Sequence, residues 1–308
     1  MLPNIIILDL DGTIIGDSTS VDYFAIFDGY SKLCKLNNLT IDKRRFDLES
    51  TRLLNEALSS GLLRPGFLEF MTAISNIKPI PLVYVFSSGK KRYVDMFIKH
   101  IENLINVKFC RPLFTRELSS AYGLKSISEV FDVIYEDLCK TPSIKKLVSS
   151  KKTELFENHV LFIDDRDDHI LDKNASNIVC PRYTFTYPCD MFDRLVPFEH
   201  KKMFFESIKL VKDTYIWDYS DIEYGSHLEF LHSKVSILMS EIERTMVGNK
   251  KQLNDKFWSR MAMWVPKYCV TSKPQTRAKK LKQLQELVKT GHKEDMSKTC
   301  SCECSKQL

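Results

Sequence analysis

Long apolar runs are missing from this sequence: no stretch comes near the ~18 consecutive apolar residues that a transmembrane helix needs. We therefore expect no membrane span. Histidines are few, seven in 308 residues, and they do not fall at the spacings of zinc ligands, which argues against zinc chemistry. A large excess of one charge is also missing, since 45 basic residues face 40 acidic ones and the formal net charge is +5. This mild excess favours acidic partners only weakly.

Cysteines show no paired spacing before the C-terminal end of the sequence. Nine are present, and they crowd together only at Cys300, Cys302 and Cys304. We find no signal-peptide pattern, because a buried β-type run begins at Ile5. We therefore expect free thiols and an intracellular location, cytoplasmic or nuclear. The clustered cysteines are too short a motif for a zinc ribbon, and we interpret residues 292–308 as a disordered tail.

Apolar β-type runs alternate with helical patterns over residues 4–180. A chain of 308 residues, 44% of them hydrophobic, can bury a sizeable core in one large or two ordinary domains. The alternation favours the α/β class, with a central parallel sheet flanked by helices. The predicted strands are Ile5–Leu8, Leu82–Phe86, Val107–Arg111, His159–Ile163 and Asn177–Cys180.

The first of these strands ends in two acidic residues. An apolar run without a polar break leads into Asp9 and Asp11, and Gly12 and Thr13 then turn the chain. Ligands of parallel α/β sheets bind at the carboxyl ends of the strands. Carboxylates at that place suit Mg²⁺ held together with a substrate phosphate. The alternative interpretation is a plain strand followed by an Asp-Gly turn.

Two later strands end in polar groups of a similar kind. Ser87, Ser88 and Gly89 come before lysines and a helix, so hydroxyls, backbone N–H groups and a helix N-terminus are available to phosphate oxygens. Four acids within Asp164–Asp168 follow another strand. Crowded carboxylates repel one another unless a cation compensates them, and a divalent-cation site explains both acidic strand ends. The alternatives are an ordinary N-cap serine and a solvated run of charges.

Residues 125–150 support two interpretations. In the first, one helix runs through Val130–Leu138. In the second, Val133–Tyr135 form a strand and the next helix begins in Lys140-Thr-Pro-Ser143. Residues 14–63 are predicted to be a helical insertion after the first strand. This insertion is either a small cap over the site or an excursion packed at the sheet edge.

The predicted domain organisation has three parts. Residues 1–190 form the α/β core with its insertion, residues 191–266 form an α-helical accessory region, and residues 267–308 form a basic, flexible tail. The aromatic residues of the accessory region are interpreted as core. The basic tail leaves contact with nucleic acid open, and such contact would weaken at raised salt.

The strand-end motifs together resemble those of the haloacid dehalogenase superfamily of phosphohydrolases. Asp9-Leu-Asp11-Gly-Thr13, Ser87 and Asp164-Asp165 match three of its four signature motifs in order and strand context. The resemblance implies a Rossmann-like fold over about residues 4–180. It does not extend to the C-terminal third of the chain.

Within that superfamily, the chain is similar to the branch of NLI-interacting-factor and RNA polymerase II C-terminal-domain phosphatases. The similarity lies in Arg64-Pro-Gly66, in Phe86-Ser-Ser88 with Tyr93, and in Arg116-Glu117 before Lys125. The chain departs from the branch at three places. Gly12 stands where the branch usually has glutamate, Ser87 where it has threonine, and Arg166-Asp167 where it has Ser-Pro.

The resemblance implies a Mg²⁺-dependent phosphatase with two acidic catalytic residues. Asp9 would attack phosphorus and form an aspartyl-phosphate. Asp11 would protonate the leaving oxygen and then activate water. Mg²⁺ would contact the Asp9 carboxylate, the backbone carbonyl of Asp11 and Asp164, and Asp165 would orient metal-bound water.

The same resemblance implies that a second group of residues binds the phosphate. Ser87 would hydrogen-bond the phosphoryl group, and a lysine would match the charge on its oxygens. We choose Lys125 for this role from its Arg116-Glu117 context. Lys140 competes, because Lys-x-Pro before a helix resembles the third motif of the broader superfamily. The remaining predicted substrate-binding residues are Thr13, Ser88 and Gly89.

Three functions follow as hypotheses. The leading one is a Mg²⁺-dependent phosphomonoester hydrolase that acts on phosphoserine or phosphothreonine in proteins. The second is a small-molecule or nucleotide phosphatase, for which a closing cap is expected. The third, of another class, is a nucleic-acid or protein-binding factor with a vestigial core. The presence of Asp9, Asp11, Ser87 and Asp164 argues against a vestigial core.

Overall fold

The computed structural model describes residues 2–16, 48, 51–52, 54–118, 124–172, 175–185, 252–270 and 277–290. The chain divides into two compact units: Met1–Gly16, Leu63–Thr184 and Lys251–Leu308 form the first, and Asp17–Leu62 with Phe185–Lys250 form the second. In the second unit, residues 54–57 are helical and Leu58–Leu62 form a π-helical turn. Most of the predicted insertion and accessory region lies outside the described residues, and the three-part domain organisation stays a prediction.

The first unit contains a four-stranded sheet in the order β2-β1-β3-β4, and every pair of neighbours is parallel. In register, Ile5 is paired with Leu82 on one side and with Val160 on the other. All four residues of the central strand β1 are buried, as expected of a strand covered on both faces. The predicted α/β class is confirmed. The strands are β1 (Ile5–Leu8), β2 (Leu82–Val85), β3 (Val160–Asp164) and β4 (Asn177–Val179).

Helices lie in the connections from β1 to β2 and from β2 to β3, and in the described C-terminal residues. A 3₁₀ turn covers Arg116–Leu118. The helices that the structure describes over several turns in the first unit are α1 (Phe67–Ser75), α2 (Lys91–Ile105), α3 (Ile127–Lys140), α4 (Pro142–Val148), α5 (Lys152–His159), α6 (Phe257–Cys269) and α7 (277–290).

One face of the sheet forms a core with α3. Alternate strand residues, among them Ile5, Tyr84 and Phe162, belong to the same buried cluster as Phe131 and Ile134 of α3. Because side chains alternate along a strand, these residues share one face. The helix predicted through Val130–Leu138 from its apolar spacing is confirmed. Val133–Tyr135 lie inside α3, so the alternative of a strand there is wrong.

Helices α1 and α6 pack against each other through aromatic side chains. The Trp258 ring lies 5.1 Å from the Phe67 ring and 4.6 Å from the Phe70 ring, measured between centroids. Gly66, before α1, has φ 78°, and a Cβ atom there would lie 2.7 Å from the backbone nitrogen of Ser259. Only glycine permits both the left-handed conformation and this close approach.

The predicted strand at Val107–Arg111 is wrong. Residues 107–113 have no strand assignment, although Cys110 N donates to Val83 O at 2.7 Å and Phe114 N donates to Val85 O at 2.9 Å. A cis peptide bond joins Arg111 to Pro112. Proline has no N–H to donate, so the chain meets β2 only at separate points and forms no continuous ladder.

The described C-terminal residues belong to the first unit. Helix α6 runs across residue 267, where the predicted flexible tail begins. In α7, Arg277 is buried, and its guanidinium donates to Asn4 Oδ1 at 2.5 Å and to the carbonyl of Asn158. This basic side chain therefore serves the fold, and nucleic-acid contact stays a prediction. Among the described residues no helix is long and apolar enough to cross a membrane.

Candidate active site

The carboxyl end of β1 delivers Asp9 into a buried position. Asp9 N donates to Ile163 O at 2.9 Å, which extends the pairing with β3 by one residue beyond the strand. A tight turn follows, in which Gly12 N donates to Ile15 O and Ile14 N donates to Leu10 O, both at 2.9 Å. These hydrogen bonds fix the backbone on both sides of Asp9.

Thr13 returns toward Asp9 at the end of this turn. Its hydroxyl donates to Asp9 Oδ2 at 3.3 Å, and both residues are buried. A threonine four residues after the aspartate therefore orients one of the two carboxylate oxygens. The geometry places Thr13 beside Asp9; its predicted role in substrate binding stays a prediction.

Asp11 lies beside the loop that follows β2. Tyr93 donates its hydroxyl to Asp11 Oδ1 at 2.5 Å, and Ser87 Oγ donates to Asp11 Oδ2 at 3.3 Å. Each carboxylate oxygen therefore has one hydroxyl partner. Both hydroxyls can also accept a hydrogen bond, so the pair can serve a carboxylate or a protonated carboxyl group.

Backbone hydrogen bonds fix the loop of Ser87, Ser88 and Gly89. Ser87 N donates to Phe114 O at 3.0 Å, and Gly89 N donates to Ser87 Oγ at 2.9 Å. From the far side, Arg116 donates its backbone N–H to Gly89 O at 3.0 Å and its Nε–H to Ser88 O at 2.9 Å. Helix α2 begins at Lys91, directly after this loop.

Lys125 is the cation of this cluster. Its Nζ lies 2.5 Å from Asp9 Oδ1 and 2.7 Å from Asp164 Oδ2, and only 2% of its side chain is exposed. Burial by itself would lower the pKa of Lys125, but the two carboxylates outweigh burial and raise that pKa. Lys125 is therefore charged at neutral pH and bridges the ends of β1 and β3.

The backbone around Lys125 is held by the loop after β3. Lys125 N donates to His169 O at 2.6 Å, and Leu171 N donates to Lys125 O at 3.0 Å. Asp172 then accepts from Ile127 N at 2.5 Å, at the N-terminus of α3. A carboxylate is favourable there because the first N–H groups of a helix have no partner within it. Helix capping thus fixes the position of the lysine two residues earlier.

Asp164 and Asp165 end β3 with their side chains in different surroundings. Asp164 is almost fully buried, and its Oδ1 accepts from Arg166 N at 2.8 Å. Asp165 lies against Gly12, where a Cβ atom would come within 2.6 Å of Asp165 Oδ2. Gly12 also has φ 75°. A side chain at this position would have to displace the Asp165 carboxylate and hold a left-handed backbone, and glycine avoids both.

The carboxylates outnumber their cations in this cluster. Burial raises the pKa of Asp9 well above its ordinary value; Lys125 lowers it, while Asp164 and Asp11 raise it further. Burial and the charge of Asp164 raise the pKa of Asp165 to about 6, and Arg182 lowers it, with Nε 3.7 Å from Asp165 Oδ2. The negative charge left over is what a further cation would compensate.

Three carboxylates could hold that cation. Oxygens of Asp9, Asp164 and Asp165 lie within 4.8 Å of one another. A set made of oxygens alone, two of its three side chains buried, fits a hard divalent ion such as Mg²⁺. Asp9 and Asp164 were predicted as metal ligands, and Asp165 was predicted to act through water. Asp11 was predicted to offer its backbone carbonyl. The ligand set stays a prediction.

The structure separates the two competing lysines. Lys140 lies in the last turn of α3, where its exposed Nζ pairs with Asp137 Oδ1 at 3.3 Å. Lys125, by contrast, contacts both buried aspartates. The predicted site residues brought together are Asp9, Asp11, Thr13, Ser87, Lys125, Asp164 and Asp165, with Ser88 and Gly89 in the adjoining loop.

Sequence reasoning assigned no role to Tyr93 or Arg182, which contact Asp11 and Asp165. Tyr93 had a usable signal, because it stands in the first turn of a helix that directly follows Ser87–Gly89. No sequence pattern marks Arg182, since it stands in an irregular segment after β4. Its place depends on the pairing of β4 with β3.

Comparisons with known proteins found few similarities. No family model matches the chain, and no curated protein matches it. One similar solved structure is that of Fcp1, described as an essential RNA polymerase II CTD phosphatase, at 17% identity over 86% of this chain and 70% of that one, with a TM-score of 0.33. Another is a variant of fission yeast Fcp1 bound to beryllium fluoride, at 16% identity over 82% and 67%, with a TM-score of 0.31. Similarity at this level carries no argument about activity.

Proposed function

We propose that this chain is a phosphomonoester hydrolase whose nucleophile is Asp9. The observation that supports this most strongly is the Lys125 ammonium, within 2.7 Å of both Asp9 and Asp164 in a buried cluster at the carboxyl ends of the strands. Phosphoryl transfer needs positive charge around a bound phosphate and an oxygen nucleophile in line with the leaving group. This cluster offers a buried ammonium and a carboxylate oxygen at the sheet edge where ligands of parallel sheets bind.

In the first step, a carboxylate oxygen of Asp9 attacks phosphorus as the ester P–O bond breaks. Asp11 gives its proton to the departing oxygen, so the alcohol leaves neutral. Thr13 and Lys125 each hold one carboxylate oxygen of Asp9, which limits its rotation during the attack. Lys125 and Ser87 would bind the phosphoryl oxygens.

In the second step, Asp11 takes a proton from water while the water oxygen attacks the same phosphorus. The bond from Asp9 to phosphorus breaks, which releases inorganic phosphate and restores the carboxylate. The hydroxyls of Tyr93 and Ser87 keep Asp11 in place through both transfers, because each can donate or accept.

Mg²⁺ fits the oxygens of Asp9, Asp164 and Asp165, and when bound it would supply positive charge that offsets repulsion between the phosphate and these carboxylates. Burial and the neighbouring carboxylates Asp164 and Asp11 raise the pKa of Asp9, and a divalent ion at this place would favour its carboxylate form. We therefore expect turnover to require the divalent ion.

The test of the nucleophile is Asp9→Asn, with Asp137→Asn on the exposed face of α3 as the matched control. Turnover of p-nitrophenyl phosphate with Mg²⁺ should fall by about 10⁴-fold in the first variant and stay unchanged in the second. In acid-quenched wild-type protein, the peptide that contains Asp9 should carry one added phosphoryl group. If Asp9→Asn keeps a tenth of the activity, Asp9 is not the nucleophile.

The substrate class is tested by comparing panels. We propose phosphoserine and phosphothreonine peptides as the preferred substrates, with phosphorylated metabolites and nucleotides as the comparison. A higher kcat/KM on the metabolite panel would support the small-molecule alternative.

A further inference from the structure

Arg64 is a buried cation that the proposed reaction does not use. Its side chain is fully buried in the first unit, and it forms two parallel hydrogen bonds to Asp255, from Nε to Oδ1 at 3.1 Å and from Nη2 to Oδ2 at 2.8 Å. The Phe257 ring lies 4.6 Å from the guanidinium carbon. A buried guanidinium is unfavourable unless its N–H groups have hydrogen-bond acceptors, so its third nitrogen, Nη1, also needs acceptors.

That nitrogen, Nη1, faces the turn that carries Asp9 and Asp11. It lies 3.5 Å from the carbonyl oxygens of both Gly12 and Thr13, at the long end of hydrogen-bond distances, and 3.5 Å from Cys180 Sγ. The backbone N–H of Arg64 also donates to Ile14 O at 2.9 Å. Arg64 therefore contacts this turn through its main chain and its side chain.

Trp258 contacts the same turn from α6. It is fully buried, and its Nε1–H donates to Thr13 O at 3.0 Å. Asp255 is fixed by the start of the same helix, since Phe257 N donates to Asp255 Oδ1 at 2.8 Å. The Thr13 carbonyl thus has two donors from elements far away in sequence, and the Thr13 hydroxyl contacts Asp9.

We infer that Arg64, Asp255 and Trp258 form a positioning latch that holds the turn of residues 9–15 in its reactive conformation. The latch acts on catalysis through Thr13, whose carbonyl it binds and whose hydroxyl orients the nucleophile. This consequence rests on the proposed function; the restraint on the turn does not. A misplacement of about 1 Å at a reacting group can lower turnover about 100-fold, so a small shift of Thr13 is enough.

The decisive variant is Trp258→Phe, which keeps most of the ring volume and removes the donor to Thr13. Trp264→Phe, on the half-exposed part of the same helix, is the matched control. Both are compared with wild type as full-length proteins, by hydrogen exchange of each peptide and by kcat and KM on p-nitrophenyl phosphate. Asp255→Asn is the second variant, because it keeps the shape of the side chain and weakens the hold on Arg64.

We expect amide exchange in the peptide of residues 9–16 to be about tenfold faster in Trp258→Phe and Asp255→Asn, as for the loss of one hydrogen bond. Peptides from α2 and α3 should keep their wild-type rates. We expect kcat to fall ten- to 100-fold with KM within twofold, because the latch acts on the nucleophile and not on substrate affinity. Trp264→Phe should behave as wild type.

Each other outcome has a defined meaning. If amide exchange at residues 9–16 is unchanged in both variants, the inference that the latch restrains the turn is wrong, whatever their kcat. Faster exchange throughout the first unit also overturns it, because that result means a general loss of stability. Faster local exchange with unchanged kcat overturns the catalytic consequence. If wild type hydrolyses no phosphomonoester but local exchange rises, the proposed function fails and the latch stands.

Discussion

The replacement of Lys125 by methionine tests how the site holds its charge. Lys125 has two buried partners, Asp9 at 2.5 Å and Asp164 at 2.7 Å, and the side chains involved are between 2% and 7% exposed. Methionine fills a similar volume without charge, so it leaves two buried carboxylates without their cation. Removing one partner of a buried ion pair costs about 3–5 kcal/mol.

That cost is large for this chain. Domains are stable by about 5–15 kcal/mol, and a loss of 3–5 kcal/mol lowers the melting temperature of a domain of this size by roughly 6–20 °C. Equilibrium unfolding in urea at pH 7, without divalent ions, measures the loss. Lys140→Met is the control, because its exposed pair with Asp137 should contribute no more than about 0.5 kcal/mol.

The pH dependence of the unfolding free energy of Lys125→Met tests whether the lost charge beside Asp9 causes the loss of stability. Lys125 lowers the pKa of Asp9, so its removal raises that pKa further above the ordinary value. A carboxyl whose pKa is raised in the folded state binds more protons there than in the unfolded chain. The stability deficit of Lys125→Met should therefore shrink as the pH falls from 7 toward 5. A deficit below about 1 kcal/mol at pH 7, or one that grows on acidification, would refute the reasoning.

Three further predictions concern single contacts. Tyr93→Phe removes the hydroxyl on Asp11 and should lower kcat about tenfold or more in steady-state assays, whereas Tyr135→Phe, whose hydroxyl donates to Val148 O, should not. Gly12→Ala places a Cβ atom against Asp165, so calorimetry should show Mg²⁺ affinity about tenfold lower. Burial lowers the pKa of His159 to about 4, so the unfolded chain binds the proton first, and this group should cost wild type about 2–3 kcal/mol of stability between pH 6.5 and 4 in urea unfolding; His159→Phe should lose less.

Local patterns predicted the strands that carry the site. The apolar run before Asp9 and the run before Asp164 became β1 and β3, because a run without polar breaks is stable only where both faces are covered. Parallel pairing then places both carboxyl ends at one edge, which explains why these two aspartates lie close together. The predicted strand at Val107–Arg111 failed although the edge of β2 is available, because Pro112 has no N–H to donate and the chain meets β2 only at separate points.

In the sequence, only the Arg116-Glu117 context favours Lys125 over Lys140, and no local pattern excludes Lys140. Lys125 and Lys140 stand at opposite ends of one helix, and each precedes a plausible helix start. The pairing of Lys125 with residues 169–171 and the cap from Asp172 decide which one reaches the aspartates. Those contacts join segments more than 40 residues apart, and no local periodicity encodes them.

By itself, the sequence determined the α/β class, the central parallel sheet and the presence of acids and hydroxyls at strand ends, because burial and strand pairing follow from local apolar patterns. Only the tertiary structure decided which cation balances those acids, why glycine stands at residue 12, and that Arg64 and Trp258 hold the turn after Asp9. Charge balance and close approach depend on distances across the fold, and residues far apart in the chain set those distances.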